Sequence, residues 1–114
     1  MANDWIYEKA NALVKKYFTR DPLELTQILN IHLEEMNDTT VLLGMYQIIQ
    51  RNRFIFLSSN LHPNIRKVVL AHEIGHDQLH RRYAKQNAFH EVSVFRELNH
   101  YEIEANIFAA HLLI

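Results

Sequence analysis

Nothing in this chain restricts its fold more than Val68 to His80, "VVLAHEIGHDQLH", where His72, Glu73 and His76 stand inside an apolar run of helical spacing. At about 100° per residue, His76 lies about 40° and Glu73 about 100° from His72, so all three share one half of the helix surface. The other half carries Leu70, Ala71 and Ile74, with Val68, Val69 and Leu79 nearby. A helix that is apolar on most sides is buried on most sides. Two imidazoles and a carboxylate taken out of water need partners, and the fold has to supply them.

Converging imidazoles suit a metal ion. The chain has no cysteine, which excludes disulfides and thiolate ligands, so any metal must be held by His, Asp or Glu. Zinc accepts neutral imidazole nitrogen at roughly 2.0–2.1 Å and in catalytic sites keeps one position for water. A carboxylate one residue after the first ligand can take that water's proton and later deliver it to a leaving amine. The pattern therefore points to metal-assisted peptide hydrolysis, with Glu73 as base. Eight His and nine Glu in 114 residues produce a chance HExxH with a probability of roughly 0.04. The apolar setting adds to the motif, because a solvated accidental match would not have Val68, Val69, Ile74 and Leu79 around it.

A catalytic zinc normally has three protein ligands. His80 is too far along the helix, about 12 Å from His72, and reads as a residue of the C-terminal turn favourable to the helix dipole. The Gly and distal His of the metzincin pattern are absent from "HEIGHDQLHRRY". The final helix, "NHYEIEANIFAAHLLI", offers Glu102 and Glu104, which face opposite ways. Ala105, Asn106, Ala109 and Leu113 lie within about 60° of Glu102, and the two alanines allow close approach to the histidine helix. Glu102 is the expected third ligand. Asn106 is placed to hydrogen-bond a ligating histidine, and Glu104 is expected to meet solvent.

The rest of the chain supplies a framework. Helical spacing runs from Trp5 to Phe18, and "RDPLELTQILN" offers Asp21 as N-cap, Pro22 at the first helical position and Asn30 as the stop. "IHLEEM", "TTVLLGMYQIIQ" and "FIFLSS" read as three strands, the last two joined at "RNR", and are expected to form a small antiparallel sheet, with Gly44 marking a bulge. "RYAKQNAFHEVSVFREL" reads as a loop with a helical turn. The expected fold is α+β, a single domain over 1–114. Trp5, Tyr17, Phe18, Phe56 and Phe108 are expected in the core. His32, His62, His90, His100 and His111 read as ordinary surface or loop residues, with His90, Tyr83 and Tyr101 available to an oxyanion should the loop fold over the site. A net charge of −1 with scattered Lys and Arg argues against direct nucleic-acid binding. No stretch has the make-up of a signal peptide or a membrane span, so the expected location is the cytoplasm.

"VVLAHEIGHDQLH" followed by "YEIEANIFAAHLLI" resembles the ImmA/IrrE zinc metallopeptidases, a small gluzincin-like family, and the similarity continues more weakly through "DPLELTQILNIHLEE", the Gly44 strand and "FIFLSSNL". The resemblance implies a minimal metallopeptidase domain in which His72, His76 and Glu102 hold one zinc ion, Glu73 is the base, and Asn106 stands where the family places an Asp or Asn beside a ligand. It further implies a protease of phages, mobile elements or stress responses whose substrate is a helix-turn-helix repressor; the chain departs from the resemblance at "HLLI", where such proteins often continue, and reads there as either a shortened or a minimal form. The rival reading is a non-catalytic metal-binding module that inactivates a repressor by stoichiometric contact.

Overall fold

The computed structural model describes residues 3–37, 42–91 and 99–114. Helix α1 (Asp4–Tyr17) ends where Phe18 turns left-handed, and α2 (Pro22–Ile28) starts as expected, with Asp21 accepting a hydrogen bond from the Leu23 N–H at 3.0 Å and Pro22 at its first turn. Asn30, at φ 61°, turns the chain into β1 (His32–Met36). Strands β2 (Gly44–Ile49) and β3 (Asn52–Ser58) form a hairpin whose connecting residues, Gln50 and Arg51, both have positive φ. That is the two-residue turn whose twist matches the flanking strands. The rest comprises α3 (Pro63–Leu79), the short α4 (Arg81–Ala84), β4 (Phe89–Glu91) and α5 (His100–Leu113).

The α+β class is as read from the sequence, but the sheet is mixed. Its order is β1-β3-β2-β4, with β1 parallel to β3 and the other pairs antiparallel. The physical reason lies in the strands' polarity. β3, with Ile55 and Leu57 fully buried, takes an interior position, whereas β1 carries Glu34, Glu35 and His32 and is confined to the edge. Three further expectations fall short. Gly44 keeps regular register opposite Leu57, so it marks no bulge. The segment read as a loop contains α4, its helical turn, and β4; residues 92–98 of it, and 39–41 of the second strand segment, lie outside the described residues. Trp5 (41% exposed) and Phe18 (90% exposed) are surface residues, while Phe108 is in the core.

α3 lies against β2 and β3, α5 packs on α3, and α1 packs on α5. Nine consecutive residues of α3, Val69 to Asp77, are buried, which is why this helix could hold polar groups only with partners from its neighbours. Its start is set by Pro63 and by His62, whose Nδ1 accepts from the Asn64 N–H. The Asn99 side chain accepts from the Glu102 N–H at the start of α5. At the other end of α5, the Arg20 guanidinium donates to the carbonyls of His111 (3.0 Å) and Leu112 (3.1 Å), satisfying acceptors that a helix end leaves open. Among the described residues no helix is long and apolar enough to cross a membrane.

Candidate metal centre

α3 and α5 pack against each other, and small residues meet at their seam. A Cβ placed on Gly75 would sit 3.2 Å from the Cα and carbonyl oxygen of Ala105 and 3.3 Å from Cβ of Phe108. With the helices this close, side chains one turn away on either side meet across the seam. His72 Nε2 lies 2.8 Å, and His76 Nε2 3.0 Å, from the same oxygen of Glu102, Oε1. One donor atom from each of the three residues lies within 4.8 Å of the others, and all three residues are buried. Asn106 Oδ1 is 2.7 Å from the other nitrogen of His72, Nδ1.

Two imidazoles and one carboxylate are a donor set that zinc takes in catalytic sites. Ligand atoms about 2.0–2.1 Å from one tetrahedral ion stand roughly 3.3 Å apart, within a few tenths of an ångström of the spacings found between the histidines and Glu102. The residues therefore fit an ion of this kind without rearrangement of the helices.

Glu73 is fully buried on the same helix, and its carboxylate is turned toward β2. The glycine at position 44 is what makes the space. A Cβ there would fall 2.8 Å from Glu73 Oε2 and 2.8 Å from Val69 Cγ1. Gly44 is thus a close-approach residue at the start of β2.

Beyond His76 the structure contains polar partners that sequence reasoning did not assign. His80 is 4% exposed, and its Nδ1 lies 3.0 Å from Nδ1 of His76 while its Nε2 lies 2.8 Å from Oε1 of Glu104. Burial pushes the His80 imidazole below its ordinary range, against the opposing pull of the Glu104 carboxylate. Glu104 therefore serves His80 and is not simply a solvated charge. The reason is that His80 has left the helical path, with φ −129° and ψ 25°, so angles drawn on an ideal helix no longer describe what Glu104 can reach. A signal for His80 was present in its spacing of four from His76, which puts the two on one face.

Asp77 was also missed. Fully buried, it accepts from the Tyr46 hydroxyl at 2.6 Å and from Arg53 Nη1 at 2.8 and 3.0 Å, while Arg53 Nη2 donates to the Leu29 carbonyl. This network ties α3 to β2, β3 and the end of α2. The same argument that a buried charge needs partners would have flagged it. The Phe89 ring stacks flat on His76, with centroids 3.7 Å apart and planes 7° from parallel, and Tyr83 and Tyr101 pack beside Phe89 and His80. Nothing in the sequence indicated that stacking. His90, the remaining oxyanion candidate, is exposed on β4 opposite Met45.

A family model for the IrrE N-terminal-like domain, a peptidase family, matches residues 26–114. The chain is similar to "Uncharacterized immunity region protein 2" of Bacillus phage phi105, at 40% identity over 102 residues. That alignment covers 90% of this chain and 63% of the phage protein, so the chain spans less than two thirds of this curated relative's length. All four strands and both helices of the histidine–glutamate seam fall inside the span of the family model, and this chain belongs to the IrrE N-terminal-like domain family of peptidases.

Proposed function

We propose that this protein is a zinc-dependent endopeptidase of the cytoplasm that cleaves a helix-turn-helix transcriptional repressor of a phage or mobile element. The observation that carries the reading is the convergence of His72 Nε2 and His76 Nε2 on one oxygen of Glu102, with Glu73 buried on the same helix. Membership of a peptidase family supports the hydrolytic chemistry, and the phage relative's name, which places it in an immunity region, supports a repressor as substrate.

One zinc ion held by His72, His76 and Glu102 would supply Lewis acidity, polarising a scissile carbonyl and making water more acidic. Glu73 takes a proton from the attacking water and passes it to the nitrogen of the leaving amine. The missing side chain at Gly44 leaves its carboxylate the room to do so. Asn106, through Nδ1 of His72, keeps that ring turned with Nε2 toward Glu102.

The test is to incubate the protein with the repressor encoded beside it. Cleavage at one position, lost on chelation and in Glu73→Gln, is the expected result; cleavage by Glu73→Gln at the wild-type rate would refute the mechanism. Release of repressor from DNA in a one-to-one ratio, without cleavage, would favour a stoichiometric binding module instead.

A further inference from the structure

Both ring nitrogens of His76 have close polar neighbours: Nε2 stands 3.0 Å from Glu102 Oε1, and Nδ1 stands 3.0 Å from Nδ1 of His80. His80 continues the chain, its Nε2 lying 2.8 Å from Glu104 Oε1. A neutral imidazole has one proton, and two facing nitrogens have room for one between them. For His76 to offer the Nε2 lone pair to an ion, its proton must be on Nδ1 and be donated to Nδ1 of His80. His80 then carries its own proton on Nε2 and donates it to Glu104, whose carboxylate only accepts. Each hydrogen bond dictates the next.

Packing alone does not make this choice. The flat stack of Phe89 confines His76 to one plane, but a half-turn of the ring about its Cβ–Cγ bond leaves that plane unchanged. Such a flip exchanges nitrogen for carbon at both sides of the ring, and would present Cε1 to Glu102. Glu102 distinguishes the two orientations on one side of the ring, and a partner that distinguishes Nδ1 from carbon, His80 in this structure, does so from the other side, independently of any ion at Nε2.

We propose that His80 and Glu104 are positioning residues for His76: Glu104 sets the tautomer of His80, and His80 holds the His76 ring with its Nε2 lone pair facing Glu102. This rests on the reading of His72, His76 and Glu102 as the metal ligands. Groups that orient a ligating histidine from behind are worth about 10–100-fold in metal affinity.

The test uses the full chain with zinc alone as the probe. Zinc affinity is measured by competition with a chromogenic chelator for wild type, His80→Phe, Glu104→Leu and Glu104→Gln, with circular dichroism to verify folding. His80→Phe and Glu104→Leu are expected to bind zinc about 10–100-fold more weakly, and Glu104→Gln, which keeps an accepting oxygen, to lose less. Imidazole ¹⁵N spectra of the zinc-loaded wild type should place the proton of His76 on Nδ1 and that of His80 on Nε2, and in Glu104→Leu the His80 proton should no longer be fixed on Nε2 while zinc affinity falls, a coupling that a merely structural His80 would not show. A proton on Nδ1 of His80 in that spectrum, or wild-type affinity in folded Glu104→Leu, overturns the proposal. No zinc uptake by wild type, or undiminished uptake by Glu102→Ala, instead overturns the assignment of the ligands, and this proposal with it.

Discussion

Replacing Gly44 by alanine tests whether the glycine exists to make room for Glu73, the proposed base. The added methyl would lie 2.8 Å from Glu73 Oε2, 2.8 Å from Val69 Cγ1 and 3.3 Å from the Phe56 carbonyl oxygen. Carbon atoms in contact settle about 3.5–4.0 Å apart, so Val69 must retreat by roughly 1 Å and Glu73 by roughly half that. Val69 is fully buried, and α3 is backed on its other flank by Ala105 against Gly75, so solvent cannot absorb the movement. Overpacking of this kind costs about 1–3 kcal/mol, offset by about 0.5–1 kcal/mol from the reduced freedom of the unfolded chain. The net loss of about 0–2.5 kcal/mol lowers Tm by up to about 10 °C for a chain of this length.

Activity should suffer more than stability. A general base works within a heavy-atom range of about 2.6–3.2 Å, and a displacement of roughly 0.5 Å takes Glu73 across most of it. Misplacement on this scale costs up to about 10²-fold in rate. Zinc content should remain that of wild type, because the three atoms nearest the methyl belong to Glu73, Val69 and Phe56 and none to His72, His76 or Glu102. Thermal unfolding by circular dichroism, zinc analysis and repressor cleavage together decide the matter. A variant with wild-type Tm and wild-type cleavage rate would refute the reasoning, and loss of zinc in step with activity would show that Gly44 serves the ligands and not the base.

Two further outcomes follow from the network behind the site. Asp77→Ala removes the shared acceptor of Tyr46 and Arg53; because Arg53 remains partly exposed, the loss should fall near the lower end for a broken buried pair, about 3 kcal/mol, measured by denaturant unfolding. An Asp77→Ala chain as stable as wild type would mean the network contributes nothing net. The Tyr46 hydroxyl is held protonated well beyond its ordinary range, first by burial and then by the Asp77 carboxylate. Its folded pKa lies above the unfolded value near 10, so its contribution is complete below about pH 10 and is lost as pH rises from there. Comparing Tm against pH for wild type and Tyr46→Phe should show the variant less stable at pH 7 and less steep above about pH 10; parallel curves would contradict the assignment.

Several elements were legible because their signals are local. Asp21 with Pro22 starts α2 through a hydrogen bond two residues long, and the 3.6-residue period of α1, α3 and α5 belongs to each segment on its own. Expecting Glu102 and Asn106 on the histidine-facing side of α5 rested on the same periodicity, and the structure brings both against the histidine helix. Where geometry departs from the ideal helix, as at His80, the periodicity gave the wrong environment for Glu104.

By itself, then, the sequence determined that His72, Glu73 and His76 would share a buried helix face and that partners had to come from elsewhere, because helical pitch and the cost of burying polar groups are independent of the rest of the fold. Tertiary structure alone decided which partners these were. The parallel pairing of β1 with β3, the space at Gly44, the stack of Phe89 on His76 and the bonds from His76 through His80 to Glu104 all join residues on separate elements. Each depends on how α3, α5 and the sheet dock, and docking is set by the packing of the whole core, which no local pattern encodes.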